Sequence, residues 1–337
     1  MREFDDKNII AYLKETGRLD QSDQAQAAAL AWGVSNVVLR ICPELREDFV
    51  VKQSRAQLRT SAEWFSRLDR IFREKSFMEV VSPLLPPGTV PQVLFEDQDN
   101  YLFGMEAIDA DHIVWKQSLL AGEFDPQISE TLGKYLATIH AKTAGSDELL
   151  ERWNCLEVFD ELRVDPFYRR IAAVHPDLRP AIDRLIDEIL HNRICAVHAD
   201  FSPKNILITA DGISLVDFET GHYGDPAFDL GFFLSHLLLK AVKFADRCEE
   251  FFPLPSTFWT SYLQQLGQQV FEVADLERRA IENLAACMLS RIDGKSTVDY
   301  LPETKQQNLV RDYCHQLFLD PPQTIPECFD ILKSKLA

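Results

Sequence analysis

The sequence predicts an α+β fold with two lobes, a small β-rich first lobe and a larger, mainly helical second lobe. Short runs rich in β-branched residues fill much of roughly the first hundred residues. Apolar residues recur at helical spacing from about residue 109 onward. A chain of 337 residues is long enough for two such parts. We therefore expect the first lobe to span residues 1–107 and the second to span residues 108–337.

Two antiparallel hairpins are expected in the first lobe. Residues 36–41 and 48–52 are strand-like, and a polar turn containing Pro43 separates them. Residues 92–95 and 100–103 are also strand-like and frame an acidic turn. The spacing predicts one helix between the two hairpins, over 61–79.

Helical periodicity dominates the second lobe. Residues 128–141 and 181–192 each place apolar side chains on one helix face. The apolar run 230–239 is too short to span a bilayer and indicates a buried helix. Two short strands, 206–208 and 213–216, interrupt this pattern and join around Asp-Gly, which is a strong hairpin signal.

The composition argues against several kinds of partner. The chain carries 53 acidic and 35 basic residues, a formal net charge of −18, and most of the excess follows residue 108. Such a charge repels nucleic acid and anionic membranes, and it favours a neutral or cationic partner for the second lobe, although acidity can also serve solubility alone. The seven cysteines are scattered without a C-x-x-C pair, and the acidic N-terminus lacks a signal peptide's apolar region. We therefore expect a cytoplasmic protein with reduced thiols.

Three polar residues have the spacing of a phosphoryl-transfer site. Asn205 stands five residues after Asp200, and Asp217 follows the predicted hairpin. Phosphoryl transfer needs a carboxylate beside the acceptor hydroxyl and a divalent metal on the phosphates. Kinase sites place that carboxylate and a metal-binding Asn five residues apart, with a second metal-binding Asp after the next strands. Mg²⁺ prefers such hard oxygen ligands.

With its flanking residues, this pattern resembles the aminoglycoside phosphotransferase and choline kinase family. That family is the small-molecule branch of the bilobal protein-kinase-like fold. It combines a His-x-Asp loop, an Asp-aromatic-Glu segment and a Gly-Asp-Pro-x-x-Asp-Leu segment. All three occur here in that order, at 198–205, 217–219 and 224–230.

The resemblance implies roles for the residues of the second lobe. Asp200 would be the catalytic base or would orient the acceptor hydroxyl. Asn205 and Asp217 would bind magnesium. His198 would support the loop backbone, and Asp229 would hydrogen-bond the loop from the following helix.

The resemblance also implies a nucleotide site in the first lobe. Lys52 would bind the nucleotide phosphates and pair with a carboxylate on the next helix. Glu74 is favoured for that role, and Glu63 is the alternative. Lys204 is either a cation for the transferring phosphate or a solvated lysine.

The rest of the implied nucleotide site is less sharply marked. Ser35 and Asn36 occupy the position of the phosphate loop, where no G-x-G-x-x-G occurs. Glu106 and Ile108 would present backbone groups to the adenine. The missing glycines, and Glu219 where protein kinases have Gly, argue against a protein kinase. Ala199 replaces the Gly common between the family's His and Asp.

Residues that contact the acceptor are left open by the sequence. Two polar stretches, 163–169 and 291–296, are candidates because the family holds its acceptor in the helical lobe. His222 and Tyr223 could equally contact substrate or pack, and His236 is interpreted as a core histidine.

The sequence thus predicts a small-molecule kinase. It would use ATP, with GTP left open, and Mg²⁺ to phosphorylate a hydroxyl of a sugar, an amino alcohol or an aminoglycoside-like acceptor. The acidity of the second lobe slightly favours a cationic acceptor. The alternative is a nucleotide-binding pseudokinase that serves as a regulatory or scaffold module. We expect a monomer or homodimer.

Overall fold

The computed structural model describes residues 1–30, 36–57, 65–267 and 271–337. The chain forms two compact units, 1–112 with 209–220, and 113–208 with 221–337. This division differs from the single boundary after residue 107, because the segment that follows Ile208 is bound to the first unit. Leu215 N–H donates to the Thr89 carbonyl at 2.7 Å, and the Ser214 hydroxyl donates to the Gly88 carbonyl at 2.7 Å.

The secondary structure confirms the predicted α+β class. The strands in the described residues are β1 Ala25–Ala29, β2 Asn36–Pro43, β3 Phe49–Ser54, β4 Val93–Asp97, β5 Leu102–Glu106, β6 Ile113–Val114, β7 Cys195–Val197, β8 Ile206–Thr209, β9 Gly212–Leu215 and β10 His222–Gly224. The α-helices there are α1 Ile9–Glu15, α2 Arg70–Val81, α3 Trp115–Ala121, α4 Pro126–Thr143, α5 Asp147–Arg152, α6 Glu157–Phe159, α7 Arg170–Val174, α8 Arg179–His191, α9 Pro226–Lys243, α10 Cys248–Phe251, α11 Pro253–Leu266, α12 Val273–Asp293, α13 Thr304–Leu319 and α14 Ile325–Leu336. Short 3₁₀ turns cover Ser82–Leu84, Pro203–Asn205 and Ala245–Arg247.

The first unit is built on a five-stranded antiparallel sheet in the order β1-β2-β3-β5-β4. The central strand β3 is buried along its whole length. Lys52 pairs in register with Val38 on one side and with Phe103 on the other. The β-branched and aromatic residues of β2, β3 and β5 therefore fix Lys52 in the middle of the sheet.

Helix α2 is shorter than the sequence predicted. It runs over Arg70–Val81 rather than 61–79, and residues 61–64 lie outside the described residues. Phe65 forms an antiparallel bridge with Gln57, and the Ser66 N–H donates to the Ala56 carbonyl at 3.1 Å. The backbone before Arg70 is thus used in a pairing that helical hydrogen bonds would exclude.

The second unit is mainly helical. Helix α11 packs along α4, and α12 packs along α9. Residues 226–242 of α9 are all buried, which confirms the buried helix predicted over 230–239. Among the helices of the described residues, none is long and apolar enough to cross a membrane.

A π-helical segment, Asp160–Arg169, joins α6 to α7. Pro166 lies within it and has no N–H to donate to the helical ladder. Wide π turns of this kind are often found at functional sites. The segment carries Arg163, whose side chain reaches the loop after β7, as described below.

Candidate active site

In the first unit, Lys52 is buried between two carboxylates. Its Nζ lies 2.7 Å from Glu74 Oε1 and 2.7 Å from Asp217 Oδ1. Glu74 also accepts a hydrogen bond from the Phe218 N–H at 3.2 Å, which ties helix α2 to the segment after β9. Glu74 therefore occupies the position expected of the lysine's partner, whereas Glu63 lies outside the described residues.

This cluster carries more acid than base. Three carboxylates, Glu74, Asp217 and Glu219, interact with two cations, Lys52 and Arg70. Burial, with the charges of Asp217 and Glu219, raises the pKa of Glu74 to about 7 despite the opposing effect of Lys52. Burial alone would lower the pKa of Lys52, but the charges of Asp217 and Glu74 outweigh it and raise that pKa. The excess of hard oxygen donors fits a divalent cation, which would neutralise it.

Asn36 is part of a buried polar network that the sequence did not reveal. Its Nδ2 donates to Glu219 Oε2 at 2.9 Å, and its Oδ1 accepts from Arg70 Nη2 at 3.2 Å. Arg70 Nε also lies 3.1 Å from Glu219 Oε2. The phosphate-loop role of Asn36 stays a prediction, and Ser35 lies outside the described residues. Arg70 belongs to no recognisable motif and is far from Glu219 in the sequence, so the sequence could not predict their contact.

The backbone of the predicted adenine-binding segment is fixed by two contacts. Glu106 N–H donates to the Gln92 carbonyl at 2.9 Å. Arg40 Nη1 donates to the Ile108 carbonyl at 2.9 Å. Both contacts restrain the segment, while its role toward a nucleotide stays a prediction.

In the second unit, Asp229 holds the loop that follows β7. Its two carboxylate oxygens accept the N–H groups of His198 and Ala199, each at 2.7 Å. The Asp200 N–H donates to His198 Nδ1 at 3.2 Å. Burial alone would raise the pKa of Asp229, but the hydrogen bond and charge of His140, together with His198, lower it. Asp229 and His198 thus support the loop backbone as predicted.

Ala199 adopts a left-handed backbone conformation with φ of +58°. This conformation strains a residue with a Cβ and is natural for glycine. The geometry accounts for the glycine expected here from the family resemblance. The strained turn is held in place by the hydrogen bonds to Asp229.

Three side chains from the same unit hold the buried carboxylate of Asp200. Arg163 Nη2 lies 2.8 Å from Oδ1, and Lys204 Nζ lies 2.8 Å from Oδ2. Asn205 Nδ2 donates to Oδ2 at 2.8 Å and to the Asp200 carbonyl at 3.0 Å. Two cations and an amide therefore bind and orient the carboxylate. Because the Asn205 nitrogen is used in this way, its oxygen is the atom suited to a hard metal ion.

Side chains of the polar stretch 163–169 contact different parts of the helical unit. Arg163 reaches the loop, and its Nε also donates to the Ala199 carbonyl at 2.6 Å. Tyr168 is hydrogen-bonded inside the helical core, and Arg169 pairs with Asp160 at the surface. Arg163 is thus the member of this stretch with a place in the site.

Two other candidates for substrate contact, His222 and Arg291, have different surroundings. His222 is buried in β10 with its ring 4.2 Å from that of Phe159, as expected of a packing residue. Arg291 lies in the last turn of α12 and donates from Nη1 to the carbonyl and hydroxyl of Ser296, each at 2.8 Å. It lines a cavity next to Lys204 and is taken up below.

A five-stranded sheet with a central Lys–Glu pair, followed by a helical unit with an Asp-x₄-Asn loop, places this chain in the protein-kinase-like class. The model of the phosphotransferase enzyme family matches residues 26–241. The chain therefore belongs to that family.

Individual relatives agree with this assignment. A methylthioribose kinase of Enterobacter sp. (strain 638) is 27% identical over 267 residues, covering 71% of this chain and 66% of the relative. The chain thus spans slightly less than two thirds of that relative's length.

Solved structures show the same fold. An amicoumacin kinase in complex with AMP-PNP, Ca²⁺ and Ami has a TM-score of 0.59 at 17% identity, covering 95% of this chain and 97% of that one. A choline/ethanolamine kinase family protein from Mesorhizobium loti has a TM-score of 0.55 at 13% identity, covering 97% and 99%.

Proposed function

We propose that this protein is an ATP- and magnesium-dependent phosphotransferase that moves the γ-phosphoryl group to a hydroxyl of a small molecule. The observation that carries the proposal is the buried Asp200 carboxylate, which is bound by Lys204 and Asn205 from its own loop and by Arg163 from the π-helical segment. Phosphoryl transfer depends on positioning and electrostatics more than on covalent chemistry, and this arrangement supplies both.

Asp200 is the residue that acts on the acceptor. The first task of its carboxylate is to accept a hydrogen bond from the acceptor hydroxyl and align it. The hydroxyl proton passes to Asp200 as the new P–O bond forms. Arg163 binds Oδ1 of the carboxylate and Lys204 binds Oδ2, so the carboxylate is held at both oxygens.

We assign the nucleotide and metal to the remaining predicted residues. When bound, magnesium would supply positive charge that offsets the charge developing on the phosphates. Asp217 and Asn205 would be its protein ligands. Lys52, which Glu74 orients, would bind the phosphates.

Two further assignments complete the nucleotide site. The backbone groups of Glu106 and Ile108 would meet the adenine, and Ser35 and Asn36 would meet the phosphates. ATP rather than GTP is proposed because the bound neighbour of similar fold holds AMP-PNP.

The relatives named above are kinases of methylthioribose, amicoumacin and, by family, choline or ethanolamine. We therefore propose a small hydroxylated acceptor and a cytoplasmic enzyme that acts as a monomer or homodimer. The pseudokinase alternative is not favoured, because Lys52, Asp200, Asn205 and Asp217 are all present.

The test is ATP turnover by the purified protein with and without magnesium, in the presence of pooled hydroxylated metabolites. Asp200→Asn should lower transfer by about 10²–10⁴-fold and leave nucleotide affinity nearly unchanged. Asp217→Ala should weaken metal-dependent nucleotide binding. Asp211→Asn, on an exposed turn, is the matched control and should behave as the wild type. Tight ATP binding without turnover of any acceptor would support the pseudokinase instead.

A further inference from the structure

The helical unit contains a cavity of about 290 Å³ with an unusual charge. Four cations line it, Lys116, Lys204, Lys240 and Arg291, against one carboxylate, Asp299. The chain as a whole carries a net charge of −18, so a cluster of positive charge is not expected from its composition. We call this space the cationic cavity.

The cationic cavity adjoins the proposed catalytic carboxylate. Lys204 lines the cavity and also binds Asp200 Oδ2 at 2.8 Å. Helix α3, which carries Lys116, packs against the 3₁₀ turn Pro203–Asn205. Burial lowers the pKa of Arg291 and the charge of Asp200 partly opposes that effect, so Arg291 lies within electrostatic reach of the carboxylate.

Lys240 is the least expected of the four cations, because its side chain is buried. The residue is 1% exposed, its Nζ donates to the His236 carbonyl at 3.0 Å, and it lies over the Tyr300 ring. Within the described residues no carboxylate lies within ion-pair distance of it. Burial and the charges of Lys116 and Arg291 lower the pKa of Lys240 to about 7.

Other polar groups at the cavity also lack partners. Tyr300 is only 9% exposed, and its buried hydroxyl has no hydrogen-bond partner among the described residues. The Nε of Arg291 is in the same situation. Buried polar groups are rarely left unpaired, and each such group costs free energy until a partner arrives.

The helix ends explain only part of this arrangement. Lys240 and Arg291 lie in the last turns of α9 and α12, where the helix dipole favours positive charge. That effect applies to each helix separately. It does not account for the convergence of Lys116 and Lys204 from two other segments, or for the unpartnered Tyr300 hydroxyl.

We propose that the phosphate acceptor carries an anionic group, a phosphate monoester or a carboxylate, that binds in the cationic cavity against Lys240 and Arg291. This inference rests on the proposed function. It replaces the cationic acceptor that the overall acidity favoured. The cavity lies at the small end of the range for ligand sites, so the acceptor is of metabolite size.

The reaction then has a defined direction. The oxygen of the acceptor's hydroxyl attacks the γ-phosphorus of ATP. The bond between that phosphorus and the oxygen that leaves with ADP breaks. The hydroxyl proton passes to Asp200, and the products are ADP and an acceptor that bears a new phosphate monoester. The anionic group of the acceptor takes no part in bond making and only positions the hydroxyl.

The first test measures binding of inorganic phosphate and of succinate by calorimetry, with AMP-PNP and Mg²⁺ saturating. The wild type should bind at least one of these anions, and the better one tells which anionic group the site prefers. Lys240→Met and Arg291→Gln should each weaken that binding about 10–100-fold, the loss expected for a charge-assisted hydrogen bond. Lys243→Met is the control, because it removes a charge from the same helix outside the cavity, and should change binding less than about twofold.

Several results would overturn the inference. One is anion binding that is equally tight in Lys240→Met and the wild type. Another is phosphate binding that is seen without AMP-PNP and lost when AMP-PNP is added, because the cations would then bind the transferring phosphate. Lys240→Arg, which keeps the charge, should restore affinity, and Arg291→Gln provides an independent readout if Lys240→Met is poorly folded.

The second test compares turnover of acidic hydroxylated metabolites with turnover of their neutral counterparts. Acidic acceptors should be preferred, and Lys240→Met should raise their KM more than that of neutral ones. Efficient turnover of neutral acceptors alone would overturn the anionic acceptor and leave the proposed function intact. Lys240-dependent anion binding without turnover of any acceptor would overturn the proposed function and leave an anion site.

Discussion

The guanidinium of Arg163 lies 2.8 Å from Asp200 Oδ1, and its Nε donates to the Ala199 carbonyl at 2.6 Å. One side chain from a π-helical segment thus holds both the carboxylate and the strained turn beside it. The rings of Phe167 and Phe232 lie under the guanidinium and limit its movement. Under the proposed function, Arg163 is therefore a positioning residue that acts through Asp200.

We predict that Arg163→Lys lowers kcat about 10–100-fold while the KM for ATP changes less than about threefold. Lysine keeps the charge but cannot contact the carboxylate and the Ala199 carbonyl together. Steady-state kinetics with ATP varied provides the measurement. Arg169→Lys, in the same segment but paired with Asp160 at the surface, should leave kcat unchanged. An equal loss in both variants would point to a general effect on the helix.

The raised pKa of Glu74 predicts a pH-dependent stability. The pKa is about 7 in the folded protein and near its ordinary value of 4.5 in the unfolded chain, so the folded state binds more protons between these values. The free energy of unfolding of the wild type should therefore fall, relative to Glu74→Gln, as pH rises from about 4.5 to 7. Chemical denaturation at several pH values measures the difference.

Glu79→Gln provides the control for that experiment. Glu79 is on the same helix but is half-exposed and pairs with Lys75. Its difference from the wild type should stay constant over this pH range. A constant difference for Glu74→Gln as well would show that the pKa of Glu74 is not raised in the folded protein.

The left-handed backbone at Ala199 predicts tolerance of glycine. Ala199→Gly removes a buried methyl group and increases the backbone entropy that is lost on folding, but it also relieves the strain. These effects offset each other, so the free energy of unfolding should stay within about 1 kcal/mol of the wild type. Ala137→Gly removes an equally buried methyl from the interior of α4 and should cost about 1–2 kcal/mol. Thermal unfolding of both variants checks the contrast, and similar losses would argue against strain at Ala199.

The buried charge of Lys240 predicts a stabilising substitution. Its pKa of about 7 lies below the ordinary 10.5, so a folded-state penalty is fully present below pH 7 and disappears as pH rises toward 10.5. Lys240→Met should therefore raise the free energy of unfolding by about 1–4 kcal/mol at pH 6, and by less at pH 9. Lys243→Met should show no such trend. Loss of stability in Lys240→Met at pH 6 would mean that Lys240 contributes to the fold.

The sequence predicted candidate residues that are close together in the chain. Asp200 and Asn205 lie on one loop and Asp217 follows the next hairpin, so their spacing, with the flanking motifs, pointed to phosphoryl transfer. The strands β2, β3 and β5 carried enough β-branched and aromatic residues to be recognised.

The sequence did not reveal contacts that join distant elements. Arg70 meets Glu219 across 149 residues, and Arg163 meets Ala199 across 36. The alanine-rich strand β1 and the short helix α1 were missed because neither has a strong periodic pattern. The cations of the cavity lie on α3, α9, α12 and the 3₁₀ turn Pro203–Asn205, so no local run of positive charge in the sequence indicated them.

The most direct measurement is a mass-shift screen of hydroxylated metabolites with ATP and Mg²⁺, run in parallel with the wild type and Asp200→Asn at equal concentration. We predict that at least one acceptor gains one phosphoryl group with the wild type, in amounts that Asp200→Asn lowers about 10²–10⁴-fold. Nucleotide binding measured on the same samples should be alike in the two proteins. Product formed equally by both proteins, or tight ATP binding by the wild type with no product from any acceptor, would contradict the account.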